Sequence, residues 1–271
     1  MKAEALLTCL DARPTQGELR AAFALLTPGA HGVVGVPFVL STRVAVALED
    51  AGFEVRDRLT HVTAPVAPRL DWWLIRKPFK GSVAESVRSH GTGALNIGAC
   101  RISIAPADDI HAKNPHTQSG FGRDSSPVYG KSASTSLYDP TQGRWPSHLL
   151  LSHAPGCTGG GCGKGCPVRR LDEQSGERPA GRFSGSQAKG LGYRGATAEA
   201  DGRPSRSVGD AGGASRYFQT FGAGNDVALL TYFLRLITPP GGRVFDPFGG
   251  SLVRQVLERL GYRAAAASGP G

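Results

Sequence analysis

One histidine and three cysteines lie within a 14-residue stretch near the middle of the chain, spaced His153-x3-Cys157-x4-Cys162-x3-Cys166. Thiolate sulfurs and an imidazole nitrogen are the ligands that a structural, tetrahedral Zn²⁺ site prefers. Glycines between the cysteines would let the chain turn back on itself, so that the four side chains can meet. The spacing therefore predicts a zinc site at His153, Cys157, Cys162 and Cys166. The alternative is a loop whose thiols bind no metal.

A second pattern with a chemical use lies near the C-terminus. Residues 244–246 are typical of a buried strand, a glycine-rich turn follows at 247–251, and residues 252–260 have helical periodicity. A ligand can bind where such a strand ends, because glycines let it approach the backbone and the helix N-terminus attracts negative charge. The segment predicts a ligand site, and an ordinary structural turn is the alternative.

The segments around these two sites alternate between strand and helix patterns, which predicts an α/β fold. Strands are predicted at 6–11, 32–40, 53–63 and 72–77, and helices at 18–26, 44–51, 82–90 and 225–237. Ser41 or Thr42 is the expected N-cap of the second helix. The last helix is apolar on nearly every side, so we expect it to be buried.

The overall composition narrows the class of protein. Of 271 residues, 38 are Gly and 19 are Pro, so much of the chain should be loop, and the 40% of hydrophobic residues suffice for a core. No apolar run approaches the roughly 20 residues that cross a bilayer, which argues against a membrane protein. Five cysteines, an odd number, favour a reducing cytoplasmic compartment over a disulfide scaffold.

Four blocks of the sequence resemble one enzyme family. The block Thr238-Pro-Pro-Gly-Gly-Arg-Val-Phe-Asp-Pro-Phe-Gly-Gly-Ser251 resembles the S-adenosylmethionine-binding motif of amino-group DNA methyltransferases, which make N6-methyladenine or N4-methylcytosine. The block from Trp73 to Arg101 is similar to a signature of phage- and prophage-type members. The stretches at 26–57 and 143–146 also fit, and together the blocks cover about half of the chain.

The resemblance implies an α/β, Rossmann-like class I methyltransferase fold, circularly permuted, incomplete, and interrupted by long disordered inserts at 105–143 and 175–213. It divides the chain into a catalytic half at 1–104, a loop-rich insert at 105–214 for target recognition, and a cofactor-binding segment at 215–271. It implies methyl transfer from S-adenosylmethionine to a base amine in double-stranded DNA. The cofactor would contact Asp246, Pro247, Phe248, Gly249, Gly250 and Ser251.

The sequence departs from the family where its chemistry takes place. The family's catalytic motif, a polar residue followed by Pro-Pro and an aromatic residue, does not occur in this sequence. Its nearest positional equivalent is 6–11, where Asp11 offers a carboxylate but is more typical of a turn. Leu252 and Val253 replace a Gly-Thr pair, which predicts side chains where the backbone should approach the cofactor. An inactive DNA-binding remnant is therefore an alternative, and the catalytic residues stay unassigned.

Charge also indicates a nucleic-acid partner. The formal net charge is +9 with a pI of about 9.6, and the basic surplus lies in the middle and end of the chain. The alternative is an ordinary solvated surface, and a zinc-dependent interaction module within 144–176 is a further possibility. The predicted DNA contacts are Lys77, Lys80, Arg88, Arg101, Arg169 and Arg170.

Overall fold

The computed structural model describes residues 2–64, 70–103, 143–158, 161–179, 211–224 and 226–264. Most of the two predicted loops, at 105–143 and 175–213, lies outside the described residues. The described part contains an eight-stranded sheet and a separate two-stranded ribbon. None of its helices is long and apolar enough to cross a membrane.

The strands are β1 (Ala3–Cys9), β2 (Leu26–Pro37), β3 (Glu54–Val62), β4 (Leu70–Arg76), β5 (Leu149–Ser152), β6 (Arg178–Pro179), β7 (Ala211–Gly212), β8 (Gln219–Phe221), β9 (Arg243–Phe245) and β10 (Arg263–Ala264). The helices are α1 (Gln16–Leu25), α2 (Ser41–Asp50), α3 (Val83–His90), α4 (Pro167–Ser175), α5 (Asp226–Ile237) and α6 (Ser251–Arg259). Short 3₁₀ turns lie at Phe38–Leu40, Gly98–Cys100 and Ala214–Tyr217.

The large sheet has the strand order β10-β9-β1-β2-β4-β3-β5-β8. Only β4 runs antiparallel to its neighbours in this sheet, so the other seven strands end at one common edge. Helices alternate with these parallel strands, and the predicted α/β, Rossmann-like fold is confirmed. The strand β5 comes from the predicted insert at 105–214, yet it belongs to the main sheet.

Hydrophobic side chains fill two layers, one for each set of helices that the sheet carries. One layer contains α5 and α6 and is centred on Trp72 and Phe233, whose ring centroids lie 4.7 Å apart. The other contains α1 and α2 with Leu26 and Leu48. The prediction that α5 is buried is confirmed, since seven of its twelve residues are buried. Packing in these two layers holds the strands in place, and the candidate sites lie at the ends of these strands.

Local sequence explains most of the helix boundaries. Capping boxes begin α1, through Thr15 and Glu18, and α3, through Ser82 and Glu85. The expected capping of α2 is wrong, because its N-cap is Leu40 and no side chain caps it. Ser41 lies in the first turn, where its hydroxyl accepts a hydrogen bond from the Trp73 indole.

The strand predicted at 32–40 is displaced in the structure, where β2 begins directly after α1 at Leu26. The reason is pairing rather than local propensity. Ala3 pairs with Leu26 across a bulge, and Ala5 through Cys9 then pair in register with residues 31–35. Neighbouring backbone therefore extends β2 through Pro28 and Gly29, ahead of the predicted strand.

Candidate functional site

The first candidate site lies at the common strand-end edge, between β9 and β1. From β9 the chain continues through α6 to β10 on one side, whereas from β1 it continues through α1 to β2 on the other. The two connections diverge and leave a crevice between these strands. In open α/β sheets this switch in strand order is where ligands bind. The predicted cofactor segment lies at this switch.

Asp246 organises the turn that follows β9. Its Oδ1 accepts a hydrogen bond from the Thr8 hydroxyl at 2.7 Å and from the backbone N–H groups of Phe248 and Gly249 at 3.3 and 3.2 Å. Thr8 is fully buried in β1, so this carboxylate joins the two strands that form the crevice. Its second oxygen, Oδ2, is buried and has no hydrogen-bond partner among the described residues.

The remaining predicted cofactor residues surround this carboxylate. Pro247 and Phe248 are half-buried, and Phe248 packs against the layer that contains α1 and α2. Gly249 is exposed with a φ of +71°, a conformation that favours glycine. Gly250 is the N-cap of α6, no side chain caps that helix, and Ser251 is its first residue. The turn therefore carries an exposed glycine close to a carboxylate whose second oxygen has no partner among the described residues.

The two residues after the turn do not obstruct the crevice as expected. Val253 is fully buried in the hydrophobic layer that contains α5 and α6, and Leu252 packs against that layer. The sequence predicts side chains of Leu252 and Val253 where the backbone should approach the cofactor, but α6 directs the side chain of Val253 into the core. The Gly-Thr replacement consequently counts less against cofactor binding than the sequence suggested.

Three carboxylates act on the Cys9 thiol at the end of β1. Burial, followed by the charges of Asp246, Asp11 and Asp226, raises the pKa of this thiol to about 12. These three acids come from different elements: Asp246 follows β9, Asp11 follows β1, and Asp226 begins α5. Each of these carboxylates acts electrostatically on the end of β1.

The second candidate site is the predicted zinc cluster. His153 follows β5, Cys157 and Cys162 lie in the glycine-rich loop, and Cys166 is the N-cap of α4. The structure brings all four together: one ligand atom from each lies within 4.8 Å of the others. His153 Nδ1 is 3.2 Å from the Cys162 sulfur and 3.5 Å from the Cys166 sulfur.

These distances fit a tetrahedral metal. Zn–S bonds of about 2.3 Å place ligand sulfurs about 3.8 Å apart around one ion. Burial raises the pKa of the Cys166 thiol, but hydrogen bonds from the backbone N–H groups of Arg169 and Ala154 lower it more, to about 6. The backbone N–H of Gly163 approaches the Cys157 sulfur at 3.4 Å. The loop thus favours a thiolate at Cys166, whereas burial and the neighbouring Cys166 and Cys157 raise the pKa of the Cys162 thiol to about 11.

The six predicted DNA contacts occupy different environments. Lys80, Arg88 and Arg170 are exposed. Lys77 donates two hydrogen bonds of 2.8 Å, to the backbone carbonyls of Phe23 and Leu26, and so closes the end of α1. The ammonium group therefore stabilises the fold through these two bonds. Contact between Lys77 and DNA stays a prediction.

The two remaining predicted contacts support loops. Arg169 pairs with Glu173 along α4 at 2.6 Å and donates to the Cys162 carbonyl at 3.0 Å, which ties the helix to the cysteine loop. Arg101 donates to the Gly143 carbonyl at 3.1 Å, and its guanidinium lies 5.3 Å from the centroid of the Trp145 ring.

Sequence analysis missed a cavity of about 890 Å³ beside α5. Its wall includes four arginines that lie on four separate segments. Because each is isolated in the sequence, only the folded chain brings them together. The four are Arg101, Arg144, Arg216 and Arg235.

No family model and no curated protein sequence matches the chain. Solved structures do match it. One is M1.HpyAVI, solved as a complex with SAM; it is 13% identical, the match covers 97% of this chain and 80% of that protein, and the TM-score is 0.38. Another is a proposed DNA modification methylase from Thermus thermophilus, at 11% identity, 97% and 81% coverage, and a TM-score of 0.39. This likeness is one of overall fold and says nothing about activity.

Proposed function

We propose that the chain binds S-adenosylmethionine in the crevice between β9 and β1 and transfers its methyl group to an exocyclic amine of a DNA base, adenine N6 or cytosine N4. The observation that carries the proposal is Asp246 Oδ2, a buried oxygen without a partner among the described residues, beside the exposed Gly249. The resemblance of residues 238–251 to a cofactor-binding motif supports the choice of ligand.

Residues of the chain itself would bind and orient the cofactor. Thr8 and the turn amides hold Asp246 through Oδ1, which leaves Oδ2 to accept a hydrogen bond from the ligand. The nearby carboxylates of Asp11 and Asp226 favour the cationic methionine end. The cofactor, when bound, supplies an electrophilic methyl group on sulfonium. The target base has to leave the duplex stack to reach it.

The sequence at the end of β1 lacks the family's catalytic motif, which supports a second candidate function: a remnant that binds DNA but does not methylate it. β1 ends at Cys9, and Leu10 and Asp11 follow. The family resemblance places its polar-Pro-Pro-aromatic motif here. Because the pKa of the Cys9 thiol is raised to about 12, this side chain is a neutral thiol at physiological pH. We assign no catalytic residue.

Calorimetric titration with S-adenosylmethionine tests the cofactor site. We expect micromolar binding, equivalent to about −8 kcal/mol. Asp246→Ala should weaken binding at least tenfold, whereas the control Asp50→Asn, on the exposed surface of α2, should not change it. Equal binding by both variants, or no heat from a chain with a folded circular-dichroism spectrum, would refute the cofactor site.

Methyl transfer is tested separately, with radiolabelled cofactor and unmethylated mixed-sequence duplex DNA. Label in DNA, identified as N6-methyladenine or N4-methylcytosine by mass spectrometry, supports the enzyme. Cofactor binding without label, together with DNA binding that weakens steeply with salt, supports the remnant instead.

We also propose that His153, Cys157, Cys162 and Cys166 bind one structural Zn²⁺. The donor set is complete, with four protein ligands within 4.8 Å, so it leaves no open position for substrate. The ion would join the end of β5 to the start of α4 and stabilise the loop between them.

Metal analysis of protein purified without chelator should find about one zinc per chain. Cys162→Ser should lower that content, and Cys100→Ser, outside the cluster, should leave it unchanged. Zinc well below one per chain in the unaltered protein would refute the site. If the cluster belongs to an interaction module, chelation should also abolish partner binding.

A further inference from the structure

The cavity beside α5 has a strongly basic wall. It lies between α5, the 3₁₀ turn at Gly98–Cys100, the strand β8 and the 3₁₀ turn at Ala214–Tyr217. No carboxylate occurs among the described residues that line it. A volume of about 890 Å³ is enough for a nucleotide-sized group. A cavity with this charge selects anions.

Two of the arginines have guanidinium nitrogens without a hydrogen-bond partner among the described residues. Arg101 uses Nη1 for the Gly143 carbonyl, while its Nε is buried and has no hydrogen-bond partner among the described residues. Arg235 lies in the last turn of α5 with an exposed side chain, and it has no ion pair within the described part of the chain. A phosphate between them would accept hydrogen bonds from both guanidinium groups.

Two aromatic rings outside the cavity lining contact arginines that line it. Trp145 lies under the guanidinium of Arg101 and is 63% exposed. Tyr217 contacts two of the lining arginines: the guanidinium carbons of Arg216 and Arg144 lie 4.3 and 5.0 Å from its ring centroid. Exposed rings beside arginines are the combination that proteins use to stack bases of a single strand while neutralising its backbone.

We propose that this cavity binds a nucleic-acid strand, with a backbone phosphate between Arg101 and Arg235 and a base stacked on Trp145. Phosphate is also present in free nucleotides, but the exposed ring beside the basic cavity favours a strand. The site goes beyond the proposed methylation because it uses other residues than the cofactor crevice. Its test needs no cofactor, so the two proposals can fail separately.

The test measures fluorescence anisotropy of a labelled 20-nucleotide single strand and of the matching duplex. We expect Arg101→Gln with Arg235→Gln to weaken single-strand binding at least tenfold. The slope of log K against log salt should fall by about 0.7, since the two arginines neutralise one phosphate and each lost phosphate contact contributes about 0.7. The control pair, Arg43→Gln with Arg20→Gln, removes the same charge from α2 and α1 and should change affinity less than twofold. Equal losses in the two double variants would overturn the proposal.

Tryptophan fluorescence provides a signature that is independent of charge. Trp72 is buried and Trp73 is half-buried, so the exposed Trp145 should account for quenching by added oligonucleotide. Trp145→Phe should remove that quenching, and Arg101→Lys should preserve most of the binding. Quenching that persists without Trp145, or a mononucleotide that binds as tightly as the strand, would contradict the assignment.

Discussion

The hydrogen bond between Thr8 and Asp246 offers a sharp test of how the crevice is built. It joins β1 to the turn after β9, across 238 positions of the chain, at 2.7 Å. Thr8 is fully buried, and Thr8→Val keeps the shape of the side chain but removes the donor. A hydrogen bond to a charged group contributes about 1.5–3 kcal/mol. We therefore expect the free energy of unfolding to fall by about 2 kcal/mol.

Urea unfolding followed by circular dichroism measures this loss. Thr42→Val, on the exposed surface of α2, is the matched control and should change stability by no more than about 0.5 kcal/mol. The energetic coupling between Thr8 and Asp246 is tested by introducing Thr8→Val into the Asp246→Ala variant. There the same substitution should cost less than about 0.5 kcal/mol, because its acceptor is already absent. An equal loss in both backgrounds would show that Thr8 acts through packing and would refute this account.

Three further predictions concern the surrounding fold. Burial, with the charges of Arg76 and Arg56, lowers the pKa of His31 to about 4. As the pH falls, the histidine of the unfolded chain is protonated first, so the free energy of unfolding should fall by up to about 3 kcal/mol between pH 6.5 and pH 4. His31→Gln should flatten this pH dependence. Gly35→Ala places a Cβ 2.5 Å from the Trp72 ring and should cost about 1–3 kcal/mol in urea unfolding, a loss that Gly17→Ala should not show. Lys77→Met removes two hydrogen bonds from the end of α1 and should lower the free energy of unfolding by about 1–2 kcal/mol, measured by thermal and urea unfolding.

The sequence predicted those elements whose structure is determined within one short, continuous segment of the chain. The helix α5 was predictable because its apolar residues surround the axis, and α3 because Ser82 and Glu85 form a capping box. The meeting of His153 with three cysteines was predictable because the four residues lie close in sequence and glycines separate them. In each case the physical cause acts within about 15 residues of chain.

The rest depends on contacts between distant segments. Nothing near residue 26 indicates that β2 begins there, because its first residues are held by β1. The bond from Thr8 to Asp246 has the same character, as does the basic cavity, whose four arginines come from separate segments. Sequence analysis therefore located the turn that carries the cofactor proposal but missed the cavity that carries the nucleic-acid proposal.

The central position of β1 has a consequence for synthesis of the protein. Ala5 in β1 pairs with Val244 in β9, about 240 residues later. A ribosome that adds 5–20 residues per second needs on the order of 10–50 s to deliver that partner. During this time one edge of β1 has open backbone hydrogen-bonding groups, which can pair with other chains. Nascent chains should therefore depend on chaperones until β9 emerges, and yield should improve when translation is fast relative to chain encounter.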